Sequence, residues 1–175
     1  TDPDGSETTF SFDESSGVLT INLTVSVENN TTMSQADIEN YIKTSIEGYW
    51  DGASITIDGK TYSIDVNVIF DPGAKTTIII FDPPTSGTAG RSYVNLFTRQ
   101  CFIFDSTKPW ILAHEAGHLM GLGDRYFDWF EKSIPFPGWT GNIMAEWNGI
   151  VEPKNVYSLL KLAGVIKDED EPDHE

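Results

Sequence analysis

From residue 18 to residue 28 the chain alternates. Val18, Thr20, Asn22 and Thr24 fall on one side, and Leu19, Ile21, Leu23 and Val25 on the other. A period of two with one apolar side predicts a half-buried strand. The period then changes. Ile38, Tyr41, Ile42, Ile46 and Tyr49 recur at helical spacing behind Ser34 and Asp37, a pair that resembles a capping box with Asp in the Glu position. This predicts a helix over 34–49, closed by the turn at Asp51-Gly52. Residues 54–57 and 61–70 flank Asp58-Gly59-Lys60 and read as a hairpin. Residues 76–81, TTIIIF, form the unbroken apolar run expected of a strand covered on both faces.

Pro83, Pro84, Gly87 and Gly90 mark a long loop. Short strands are expected at 92–97 and 100–104. Pro109 opens a helix to about Met120, with proline in the first turn, where its missing N–H costs nothing. After Gly121 the pattern breaks into Gly and Pro with Phe127, Trp129, Phe130, Phe136, Trp139 and Trp147 between them. The rings supply apolar area, so packed irregular backbone is expected rather than disorder. Pro153 starts a last helix with Val156, Leu159, Leu160, Ala163 and Ile166 as its apolar stripe. Residues 1–9 read as a loose polar lead-in and 168–175 as a solvated acidic tail. Strands interspersed with an early, a central and a late helix make α+β the expected class.

Composition narrows the function. The 175 residues suit one domain, and 39% hydrophobic content excludes a wholly disordered chain. No apolar run approaches a membrane-spanning length. Eleven basic against 27 acidic residues give a net charge of −16, which argues against a nucleic-acid partner. One cysteine, Cys101, excludes an internal disulfide and reads as a buried thiol. The chain starts at Thr1 rather than methionine. A processed or trimmed product is therefore expected. Separately, the protein is expected to be secreted, periplasmic or on the cell surface, and a monomer.

The run His114-Glu115-Ala116-Gly117-His118 carries the chemistry. Histidines four apart on a helix stack on one face, where both imidazoles can reach one ion. Glu115 sits beside that face, placed to take a proton from a water at the ion. Two histidines leave a tetrahedral zinc short of a protein ligand. Gly121 can stop the helix in a left-handed turn and aim Asp124 back at the ion. Asp128, Glu131, Glu146 and His174 are the other candidates for that third position. Arg125 would either orient a neighbouring carboxylate or face water.

The extended run, His114 through Gly121 to Asp124, resembles the metzincin zinc-peptidase motif H-E-x-x-H-x-x-G-x-x-H with aspartate as the last ligand, as in the snapalysin-type metzincins. Gly141-Asn142-Ile143-Met144-Ala145 is similar to the family's methionine turn. The resemblance implies a mixed twisted sheet with an antiparallel edge strand. It divides the chain into an upper lobe of about 10–120, ending in the metal helix, and an irregular lower lobe of about 121–167 with a terminal helix. It also implies one catalytic zinc held by His114, His118 and Asp124, with Glu115 as general base of an endopeptidase acting on peptides or proteins. The substrate would lie extended along 92–96 or 100–104, and Glu146, Trp147 and Asn148 would line the pocket just past the cleaved bond. Two departures stand out. Asp124 makes the ligand set more anionic than three histidines. Glu146 stands where some metzincins carry a tyrosine. A thermolysin-like or other zinc hydrolase, and a non-catalytic zinc-binding domain, use the same helix.

Overall fold

The structure is a computed structural model that describes residues 7–130 and 132–167. Its spine is β2 (Val18–Asn30), where the alternation puts Leu19, Ile21, Leu23 and Val25 in the core. One edge of β2 pairs in parallel with β4 (Lys60–Phe70). The other edge is shared: β1 (Thr8–Asp13) runs antiparallel along its first half and β5 (Thr77–Phe81) parallel along its second. The carboxylate of Glu7 closes the junction, accepting from the N–H groups of Lys75 and Thr76. β1 was not expected, since residues 1–9 read as a loose lead-in. It also reaches the helix that carries His114 and His118, for the Thr8 hydroxyl donates to the Leu119 carbonyl.

From β5 the sheet continues through β7 (Gln100–Ile103) to the antiparallel edge strand β6 (Tyr93–Asn95). At the far side β3 (Ser54–Ile57) pairs antiparallel with β4, and the strand order is β3-β4-β2-β5-β7-β6. The turn between β3 and β4 is Asp58-Gly59, both at positive φ, as tight hairpins of this hand require. β3 is too short to cover all of β4, and the carboxylates of Asp51 and Glu47 accept the Val66 and Val68 N–H groups beyond its end. Ile78, Ile79 and Ile80 are all buried, so both faces of β5 are covered. The chain is therefore α+β, with a mixed sheet and, among the described residues, three helices.

Helix α1 (Gln35–Trp50) begins where the Ser34 hydroxyl accepts the Asp37 N–H and buries Ile38, Ile42, Ile46 and Trp50. Trp50 is fully buried, and its indole N–H donates to the Ala113 carbonyl of α2 (Pro109–Leu119). The sheet and α1 thus fix the azimuth of α2. Helix α3 (Pro153–Leu162) is shorter than its apolar stripe: Ala163 caps it, Gly164 turns the chain, and Ile166 is buried beyond the helix. The segment after α2 holds a hairpin that was not expected, β8 (Tyr126–Trp129) with β9 (Lys132–Pro135). Its side chains are largely exposed on both faces, so no apolar alternation announces it.

Candidate metal centre

α2 carries His114 and His118 one turn apart, their rings edge to face with centroids 4.9 Å apart. Each Nδ1 lies against a backbone carbonyl, His114 on Ile143 at 2.7 Å and His118 on Leu122 at 2.8 Å. A carbonyl only accepts, so both Nδ1 atoms carry a proton, and each Nε2 presents a lone pair whenever its ring is neutral. Those lone pairs face one carboxylate oxygen. Asp124 Oδ1 lies 3.3 Å from His114 Nε2 and 3.0 Å from His118 Nε2. Three electron-rich atoms this close repel unless a proton or a cation sits among them. A tetrahedral cation with ligands at about 2.0–2.1 Å, the range for zinc, has ligand-to-ligand edges of about 3.3–3.4 Å. The His114–Asp124 separation falls on that edge and the His118–Asp124 separation somewhat inside it, so the donor atoms lie close to the spacing such an ion takes. His114, Glu115 and His118 also each offer a ligand atom within 4.8 Å of the others, a group that could hold a metal ion.

Charge follows the same geometry. Where a proton rather than a cation sits among these atoms, burial works against the Asp124 carboxylate, but hydrogen bonds from His114 and His118 outweigh it and hold its pKa far below the ordinary carboxylate range. Burial likewise opposes the His118 imidazolium, and the adjoining Asp124 reverses the balance and raises its pKa. Glu115 is 4% exposed, and its Oε2 has no hydrogen-bond partner among the described residues. Burial pushes its pKa up against the pull of the two imidazoles. A buried carboxylate with a bare oxygen beside a cluster of ligand atoms is unusual in a merely structural role.

Two turns hold these groups. At the end of α2, Leu122 N–H donates to Gly117 O and Gly121 N–H to His118 O, with Gly121 at φ +106. This is the six-to-one and five-to-two pattern of a glycine-terminated helix. It places the Leu122 carbonyl on His118 and turns the chain to Asp124. The second turn, 141–146, lies beneath. Its Ile143 carbonyl holds His114, and its Met144 carbonyl accepts the N–H of Arg125, next to Asp124. Buried Asn142 fixes that turn: Oδ1 accepts the Met144 N–H and its amide pairs reciprocally with Asn155 of α3. Met144 is buried, and a Cβ on Gly117 would come within 2.4 Å of its Sδ. Gly117 is therefore the gap that lets the methionine reach the metal helix.

The remaining candidates fall elsewhere. The Glu146 carboxylate accepts the Gly141 N–H and so staples the turn. Asp128 pairs with Arg91 and accepts the Ser133 hydroxyl. Glu131 and His174 lie outside the described residues. The Arg125 guanidinium sits over the Trp139 ring at 4.7 Å and, among the described residues, forms no ion pair with a carboxylate. Cys101 is buried in β7, and burial raises its thiol pKa.

Two cavities of about 600 and 590 Å³ meet at His114 and Glu115. Glu146 and Trp147 stand in the wall of the first, with Trp110 tilted against Trp147. Asn148 does not; it is exposed in a left-handed turn at φ +55. The open sheet edge is β6, within 92–96, whereas 100–104 lies inside as β7 because β5 and β6 occupy both its sides. Sequence reasoning missed Gly117, Asn142, Asn155, Arg91 and Tyr126. Gly117 inside the motif, Asn142 inside the 141–145 run and Tyr126 two residues past Asp124 stood near enough to be found, whereas Asn155 and Arg91 did not. Compared with known proteins, the chain matches no family model and no curated sequence.

Proposed function

We propose that the protein is a zinc-dependent endopeptidase of metzincin type. One observation carries the reading: two imidazole Nε2 atoms converge on one carboxylate oxygen, at 3.3 and 3.0 Å, beside the buried Glu115, whose Oε2 has no hydrogen-bond partner among the described residues. His114, His118 and Asp124 would hold the ion, leaving the fourth position open. Zinc bound there would lower the pKa of a water and polarise a carbonyl. Glu115, with a raised pKa and a bare oxygen, takes the proton of the attacking water and passes it to the leaving amine. The edge strand β6 offers its unpaired main chain to an extended peptide by strand addition. The wall bearing Glu146 and Trp147 would receive the side chain just past the cleaved bond.

The test is Glu115→Gln, which keeps the shape and removes the base. Elemental mass spectrometry should give one zinc per chain in both forms, while cleavage of a denatured-protein panel falls by about 10²–10⁴ in the variant. Equal cleavage by both forms would sink the assignment. Zinc retained with no cleavage by either form would leave a non-catalytic zinc-binding domain. Asp124→Ala should weaken zinc binding at least tenfold in a competition titration, since it removes a direct ligand.

A further inference from the structure

Arg91 stands just before the edge strand β6 and lines both cavities that meet at Glu115. Among the described residues it is the one Lys or Arg in the wall of the second cavity, where Glu115, Asp124 and Asp128 also face. A peptide filling both cavities must pass its guanidinium. We propose that Arg91 reads a carboxylate of the bound peptide, with Asp128 as the internal placeholder that the substrate displaces. The proposal rests on the peptidase reading of this groove and names its substrate class.

Arg91 Nη1 lies 3.1 Å from Asp128 Oδ2, and both side chains are more than half exposed, at 59% and 56%. An ion pair this open to water contributes little to stability, so exchanging its carboxylate for another costs little. Asp128 is not orphaned by the exchange, because its other oxygen keeps the Ser133 hydroxyl at 2.7 Å. Nor does Arg91 drift. Its second terminal nitrogen donates to the Tyr126 hydroxyl, and its guanidinium carbon lies 5.1 Å from the Tyr126 ring centre. What remains is Nη1 of a planar guanidinium, its other terminal nitrogen held by Tyr126, set at the meeting of the two cavities as a charged donor for a carboxylate oxygen. The net charge of −16 repels acidic chains at long range, so a carboxylate-reading arginine selects at contact and not at encounter. Two sources offer that carboxylate, an acidic side chain beside the scissile bond and the carboxyl terminus of a short peptide.

The experiment uses zinc-loaded protein with Glu115→Gln, so that bound peptide survives, and reads fluorescence anisotropy. Three labelled peptides share the sequence around a bond that the parent protein cleaves. One carries Glu there and an amidated end, one Gln and an amidated end, one Gln and a free terminus just past the bond. The Glu peptide, the free-terminus peptide or both should bind about tenfold more tightly than the amidated Gln peptide, as hydrogen bonds to charge allow. Whichever shows the preference names the source. Adding Arg91→Gln should bring the ratio to about one, Arg91→Lys should leave part of it, and Asp128→Asn should increase it. The proposal is overturned if Arg91→Gln weakens all three peptides equally or if Asp128→Asn leaves the ratio unchanged. A protein that cleaves and binds no peptide overturns the peptidase reading itself, and the carboxylate reading with it.

Discussion

His114 and His118 need the same service from the fold, and it reaches them by different routes. Each must donate its Nδ1–H to a carbonyl so that Nε2 faces the candidate ion site. For His118 the carbonyl is Leu122, four residues on, and the helix-ending turn at Gly121 delivers it. For His114 it is Ile143, 29 residues on, in a turn held by a buried amide pair between Asn142 and Asn155. One brace is local and written in the backbone preference of a glycine. The other is distant and depends on a polar network in a dry interior, where each missing partner leaves another group unsatisfied. The second should therefore be the more fragile half of the site.

The sharpest way to break this contrast is Asn142→Ala. It strands the Asn155 amide and the Met144 N–H in the interior, and should cost about 2–4 kcal/mol in denaturant unfolding. Zinc affinity should fall with it, because the Ile143 carbonyl loses its seat. Gly117→Ala comes next. Its Cβ would meet Met144 Sδ at 2.4 Å and Cε at 3.0 Å, and overpacking of this kind costs about 1–3 kcal/mol. Its thermal midpoint should drop, while zinc titration changes less than in Asn142→Ala. Gly121→Ala should do least, about 1 kcal/mol or somewhat more for a side chain at positive φ. Calorimetric zinc titration of the three variants ranks them. If Gly121→Ala loses more zinc affinity than Asn142→Ala, the local turn is the critical brace and the contrast is reversed.

The same division explains what the sequence made legible. The metal helix, its two histidines, the stop at Gly121 and the aim of Asp124 all lie within one short stretch, where spacing alone determines who can meet whom. The strands from Val18 to Ile80 were readable because one face or both are buried, which writes a period into the residues. The Asn142–Asn155 pair left no such mark, since a buried asparagine and an exposed one look alike until their partners are known. The hairpin Tyr126–Pro135 left none either, having no buried face to impose alternation. β1 was hidden by polar neighbours, although Phe10 and Phe12 pack against the core. Arg91 lies in a proline- and glycine-rich loop that gives no hint of what it will face.

The shared edge of β2 has a consequence for how the chain comes off the ribosome. β1 and β2 form an antiparallel pair of near neighbours and can zip together at once. The outer half of β2, Ser26 to Asn30, must wait for β5, whose first residue, Thr77, emerges only after α1, β3 and β4 have been synthesised. During that interval the nascent protein carries an open, sticky seam, and Glu7 has no Lys75 or Thr76 amide to fasten.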